Sequence, residues 1–394
     1  MRKGATSAIL ALLLLAAPIA SQRASSFAGR LRPTAAPGGA VRVAAAARPV
    51  RPLPWWDRRW HYRLTLRVGA GPRWRVDCPI EARVDLQRYL RRPLDEASVR
   101  VVFRRRLVPA QYDVRTGTLV FVARGEIRPG TARTYEVYFD ERRRTPKPKH
   151  TFRGAQARQA PGGAVWLENE RLRLLLSPEG GRAARWEVLA LGERDIARWA
   201  EREPRGFFYN PLLYNKRATL APLLVGPVAV RYRCSFPQGP SYTITLYSGM
   251  SWAEVVWDTP LDSFWCYDSL GGDKGAAWQT ACSATAQREA LEQALYCRGA
   301  RWVAKHRADG LALGLVVPEV DCAMGVELRG ERSGVGISRS TPAAHFVVVG
   351  DVLGRFDAAF WETLRRTLDH TLPPVVDIGP LERLNAAGKI TATG

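Results

Sequence analysis

From Tyr62 onward the chain is a succession of short β-rich runs punctuated by turn residues, and this recurrence restricts the fold more than any other feature. "YRLTLRV" (Tyr62–Val68) alternates apolar and polar residues, as a strand with one buried face does. "CPIEARVDL", "ASVRVVF", "GTLVFVA" and "RTYEVYFD" follow, with turn signals in "RTG" at 115–117 and "RPG" at 128–130. Strands at this spacing, with little helix between them, predict a small antiparallel β-sandwich over 54–140.

The pattern then pauses. Residues 141–163 are basic, hold three prolines and lack aliphatics, which reads as a linker. A second β-rich region spans 164–380 and opens on "WLENERLRLLLSPEGGRAARWEVLALGERDI" (Trp166–Ile196). Leu172, Leu174 and Leu176 fall on one face of a strand there, and "SPEGG" turns the chain back. One helix is expected near the C-terminus, over Asp357–Leu372, with Asp357 as its cap and Pro373-Pro374 as its stop. Residues 381–394 read as a tail. The fold class expected is therefore all-β: a small sandwich, then a larger antiparallel assembly.

The first twenty residues have the layout of a secretory leader: Arg2 and Lys3, an apolar run over Ala8–Ala17, then small residues. The run is short for a transmembrane span, and no later stretch is long enough to be one. Residues 21–53, rich in Ala, Arg, Pro and Gly, read as a disordered linker. Export to the periplasm, the cell envelope or the medium is expected, as a monomer. The formal charge of +22 first suggests nucleic acid. However, only seven of the 59 basic residues are lysine, and the arginines are spread through strand-like segments with no nucleic-acid-binding signature. The expectation is no nucleic-acid partner but attraction to acidic surfaces. Of six cysteines, Cys234 and Cys322 lie in apolar runs, and Cys266, Cys282 and Cys297 are the better disulfide candidates.

Two segments carry resemblances. The strand Trp60-His61-Tyr62-Arg63, the segment "PAQYD" (Pro109–Asp113) and the closing "TARTYEVYFD" together resemble a secreted bacterial β-sandwich family of unknown function. "ENERLRLLLSPEGGRAARWEVL" and "DGLALGLVVP" (Asp309–Pro318) look like the galactose-mutarotase-like supersandwich. That resemblance implies a fold used by sugar epimerases, polysaccharide lyases and non-catalytic parts of glycoside hydrolases, with sites on a concave sheet face. It makes polysaccharide the expected partner, bound or acted on by a lyase- or hydrolase-type centre. The alternative is a structural or adhesive envelope protein. The chain shows no His-centred motif with an Asn-rich neighbour and a late Glu, as an epimerase would carry.

Candidate chemistry concentrates in three places. "GFFYNPLLYNKR" (Gly206–Arg217) supplies Tyr209, Tyr214, Asn215 and Arg217. A lyase needs a base such as Tyr or His and an Arg or Asn to neutralise a uronate carboxylate. The same residues also serve a loop that satisfies its own backbone. "FWCYDSLGGDKGAAWQ" (Phe264–Gln279) brings Trp265, Asp268, Asp273 and Trp278. The two Asp could act as acid and base or hold Ca²⁺, and the plainer reading is a solvated loop. No other cofactor is implied. His306 in "RWVAKHRADG" is the best placed of five histidines for catalysis. Thirteen tryptophans suit sugar stacking or a wide core equally, and Trp252 and Trp257, five apart, must face opposite sides of a strand.

Overall fold

A computed structural model describes residues 41–42, 54–142, 152–180, 182–189, 194–195, 208–209, 216–259, 261–267, 277–280, 295–306, 312–317, 323–329, 332–341, 344–350, 361, 374–385 and 387–393. Nearly all of them are strand or turn, so the all-β expectation holds. The helical elements among them are three 3-10 turns, at Gln87–Tyr89, Glu96–Ser98 and Pro161–Gly163, and the single positions Leu189 and Trp361. Apart from Trp361, the expected helix over 357–372 lies outside the described residues. No helix of the described residues is long and apolar enough to cross a membrane.

The strands, in chain order, are β1 (Val41–Arg42), β2 (Tyr62–Gly69), β3 (Arg75–Arg83), β4 (Arg100–Phe103), β5 (Arg106–Val108), β6 (Ala110–Asp113), β7 (Thr118–Ile127) and β8 (Ala132–Phe139), then β9 (Gln156–Gln159), β10 (Val165–Glu168), β11 (Leu172–Ser177), β12 (Arg182–Val188), β13 (Arg194–Asp195) and β14 (Phe208–Tyr209). They continue with β15 (Thr219–Val225), β16 (Ala229–Ser235), β17 (Tyr242–Tyr247), β18 (Trp252–Trp257), β19 (Leu261–Tyr267), β20 (Ala277–Thr280), β21 (Leu295–Arg298), β22 (Trp302–His306), β23 (Ala312–Val316), β24 (Ala323–Arg329), β25 (Arg332–Thr341), β26 (Ala344–Gly350), β27 (Val375–Leu384) and β28 (Ile390–Thr393).

The first sandwich has one sheet in the order β1-β27-β2-β8-β4-β5, with β28 on β27, and a second in the order β3-β7-β6. Their inner faces meet in a core of Leu64, Leu66, Val68, Ile80, Leu119, Phe121 and Val137. The residues read from sequence as a tail are strands. β27 leaves the second region and pairs antiparallel with β2, from Tyr62↔Arg383 to Gly69↔Val375. The chain's end thus completes a sheet begun some three hundred residues earlier.

The second region holds a sheet β13-β12-β11-β10-β9, a sheet β14-β19-β25-β24-β21 and a sheet of eight strands, β15-β16-β17-β18-β26-β23-β22-β20. The opening hairpin forms as expected. Leu172, Leu174 and Leu176 are buried, and Leu174 lies opposite buried Trp186. Val230, Ile244, Leu246, Val255, Trp257 and Leu315 line the inner face of the eight-stranded sheet. Its other face is covered too: Trp252, Trp302, Ala304 and Ala312 pack with Val120 and Val122 of β7 and with Trp361. Trp252 and Trp257 therefore face opposite sides, as strand alternation requires. Each fully buried Val at this seam stabilises by about 1.5–3 kcal/mol.

Polar residues lock the same seam. Arg231, Thr245 and Glu254 are cross-strand neighbours on β16, β17 and β18. Facing them, Glu81, Val120 and Gln111 are neighbours on β3, β7 and β6. Arg231 Nη2 lies 2.6 Å from Glu81 Oε1 and 3.9 Å from Glu254 Oε2. The Tyr247 hydroxyl donates to Glu81 at 2.7 Å, and Gln111 Oε1 accepts from the Val228 and Ala229 amides.

Candidate functional site

The outer face of the first sandwich's larger sheet carries a second polar row, and this one is roofed by aromatic rings. Arg100, Tyr138, Arg63 and Glu382 are successive cross-strand neighbours on β4, β8, β2 and β27. Arg63 is buried and donates from Nε to Glu382 (2.7 Å) and from Nη1 to Glu136 (2.9 Å). The Tyr138 hydroxyl donates to Glu136 at 2.6 Å and accepts the Trp56 amide at 2.9 Å. Burial pushes the Tyr138 hydroxyl up to about 12, and its bond to Glu136 adds to that. For Arg63, burial lowers the pKa, but the bonds with Tyr138 and Glu382 outweigh it and the net shift is upward.

"PWWDRRW" (Pro54–Trp60) lays three indoles on this row. Asp57 turns the segment: its carboxylate accepts the Arg59 amide, and its carbonyl accepts the Trp60 amide. Trp60 is buried, with its indole N–H donating to Ser98 O at 2.6 Å, and Trp55 donates to Trp60 O at 3.0 Å. Trp55 and Trp56 stay half-buried. Arg63 lies 4.8 Å from the Trp55 ring centroid, and Tyr138 meets the same ring edge-on at 5.4 Å. Trp56 is tilted against Trp60 (5.3 Å) and Tyr138 (5.6 Å). The result is a rigid, partly exposed aromatic surface backed by fixed charges. Its stacking faces are presented without the entropy cost of ordering them at binding.

None of the candidate residues singled out from sequence lies here. The three Trp within six residues were the available signal. Nothing local points to Glu136 or to Glu382, which reach the row only through the pairing of β8 and β27 with β2.

The residues singled out from sequence are distributed differently. Tyr209 and Trp265 are cross-strand partners on β14 and β19. Trp265 is buried, and its ring occupies the space a Cβ at Gly336 would need. Trp278 lies on β20 opposite Lys305, and His306 on β22 lies opposite Ala277 and Ala312. These two positions share one end of the eight-stranded sheet. Arg217 is exposed near the other end, beside β15, where it pairs with Glu179 at 3.2 Å. Five strands separate β15 from β22, so Arg217 and His306 do not adjoin within the sheet. Tyr214, Asn215, Asp268 and Asp273 lie outside the described residues. So does the question of Ca²⁺ at Asp268 and Asp273. Among the described residues no group of three or more His, Cys, Asp or Glu could hold a metal.

The cysteines correct one expectation. Cys266 keeps its thiol and is buried in the inter-sheet core, as Cys234 is. Cys297 is disulfide-bonded, as expected. Cys282 and Cys322 lie outside the described residues.

Comparison with protein-family models and with curated proteins finds no match. Among solved structures, the chain is similar to an alpha-mannosidase from Enterococcus faecalis V583, with a TM-score of 0.48 and 8% identity over 80% of this chain and 46% of that one. A glycosyl hydrolase family 38 protein from Enterococcus faecalis gives 0.46 and 9%, over 80% and 47%. A galactose mutarotase-like protein from Lactobacillus casei ATCC 334 gives 0.35 and 7%, over 48% and 100%. The chain spans less than half the length of the two hydrolase-type structures.

Proposed function

We propose that the protein is exported and binds polysaccharide through the aromatic face of its first sandwich. The observation that carries this is the pair of half-buried indoles, Trp55 and Trp56, held over the Arg63–Glu136–Glu382 row. Pyranose rings present C–H faces that pack on indole, while their hydroxyls exchange hydrogen bonds with charged groups at the rim. The leader-like N-terminus supports export. The disulfide at Cys297 supports it independently, since such bonds persist in oxidising compartments.

The second reading is a structural or adhesive envelope protein. It is favoured by the covered outer face of the eight-stranded sheet, where Trp252 and Trp302 pack against β7 and Trp361 and offer no open platform. A lyase- or hydrolase-type centre near His306 is a further proposal.

The test is retardation of the mature chain in gels cast with a panel of neutral and acidic polysaccharides, with mass spectrometry of any soluble products. Trp55→Ala/Trp56→Ala is expected to keep the native circular dichroism and lose binding at least tenfold, as loss of stacking anchors does. Undiminished binding by that variant would move the site elsewhere. Shortened or unsaturated products that vanish in His306→Ala would establish an enzyme centred on β22.

A further inference from the structure

The face beneath Trp55 and Trp56 differs in charge from the chain that carries it. The whole sequence has 59 basic residues against 37 acidic ones. On this face acids and bases are matched. Arg63 pairs with Glu136 at 2.9 Å and also with Glu382. Arg67, further along the same side of β2, pairs with Asp377 of β27 at 3.4 Å. Arg59 pairs with Asp57 at 2.7 Å in the turn. Arg100 donates from Nη1 to the Ala97 and Val99 carbonyls, at 2.7 and 2.8 Å. These four guanidinium groups stand among four carboxylates. Beside them, His61 Nδ1 lies 2.9 Å from Asp140 Oδ2, and Arg58 is exposed in the turn.

The pairs are within reach of a ligand. The Asp57, Asp377 and Glu382 side chains keep 19%, 21% and 18% of their surface in solvent. A ligand carboxylate offers only acceptors. It would compete with these acids for the same guanidinium N–H groups and meet like charge in doing so. A sugar hydroxyl both donates and accepts. It can donate to Asp57 or Glu382 and accept from Arg59 without breaking a pair, and hydrogen bonds to charged partners are the stronger kind.

We propose that this face takes an uncharged polysaccharide, with sugar rings on Trp55 and Trp56 and their hydroxyls on the neutralised ion pairs around them. The inference rests on the glycan reading above and adds the charge of the ligand.

The probes are two pairs of soluble polymers, each sharing a backbone and differing in charge: hydroxyethyl cellulose with carboxymethyl cellulose, and fully methyl-esterified polygalacturonate with polygalacturonate itself. All are offered to the full mature chain at low salt and at 1 M, where a Debye length of about 3 Å screens the general positive charge of the chain. Trp55→Ala/Trp56→Ala defines the part of the binding that belongs to the face. In at least one pair that part is expected to favour the uncharged member at least tenfold at 1 M salt, and to change little between the two salt concentrations. Glu382→Gln leaves Arg63 paired with Glu136 and removes one carboxylate, so the ratio of acidic to uncharged affinity should rise about tenfold. Asp57→Asn, which keeps an acceptor in the turn, should move the ratio the same way and serves if Glu382→Gln loses its native circular dichroism. Trp-dependent binding of the acidic members that equals or exceeds that of the uncharged ones would overturn the inference and leave the aromatic site standing. A ratio unmoved in both carboxylate variants would do the same. If no polymer shows Trp-dependent binding, the glycan reading itself falls.

Discussion

Arg231→Met is expected to cost about 3–5 kcal/mol of stability and to loosen the first sandwich from the eight-stranded sheet. Arg231 pairs with Glu81 and lies near Glu254 at the seam, and Tyr247 shares both carboxylates through its hydroxyl. Burial works to lower the Arg231 pKa, but Tyr247, Glu81 and Glu254 raise it well above the ordinary value. Methionine fills the volume and leaves two carboxylates in a poorly solvated seam without the guanidinium that pairs with them. The hydrophobic seam of Val120, Val122 and Trp252 remains, so the loss should be partial. Urea denaturation of parent and variant measures it. Adding Glu81→Gln and Glu254→Gln to Arg231→Met should recover most of the loss, because the triple variant removes the unpaired charges along with their partner. A loss below about 1 kcal/mol would place the pair in the class of solvated surface bridges.

The second large effect is alkaline unfolding. Burial pushes the Cys78 thiol from 9.0 up to about 11 and the Cys234 thiol up to about 12. Tyr138 rises to about 12, and Tyr242 and Tyr247 are raised well above 10.0, chiefly by burial. Each group is neutral when folded and ionises earlier when unfolded. Their contribution is therefore complete below about pH 9 and is lost as the pH climbs toward about 12, where the unfolded chain binds fewer protons. The loss is on the order of 5 kcal/mol, comparable with the whole stability of many domains. The urea midpoint should hold steady from about pH 7 to 9 and fall steeply above, and Cys234→Ala should flatten the fall. A flat profile to about pH 11 would contradict the burial of these groups.

How much of this was legible in the sequence depends on the range of the interaction. The strand succession was legible because burial imposes a two-residue period. Leu172, Leu174 and Leu176 announce β11, and the spacing of Trp252 and Trp257 fixes their opposite faces. Cys234 reads as core from its apolar neighbours. Cys266 misled, because nearness in sequence to Cys282 and Cys297 says nothing about which face of β19 it occupies. The return of β27 was illegible: "VVDIGPLERL" straddles the boundary read between the second region and the tail, and its partner lies at Tyr62–Gly69. The candidate site shares that limit. Its indoles are contiguous in "PWWDRRW", but the charges beneath them are gathered from strands far apart along the chain.

The claim that the first sandwich holds the ligand is tested most directly by amide hydrogen exchange with and without a bound oligosaccharide. The account predicts slowed exchange in residues 54–62, 100–102 and 132–139, and little change over β20–β22. Protection confined to 277–306, with 54–62 unaffected, would contradict it and put the site on the eight-stranded sheet.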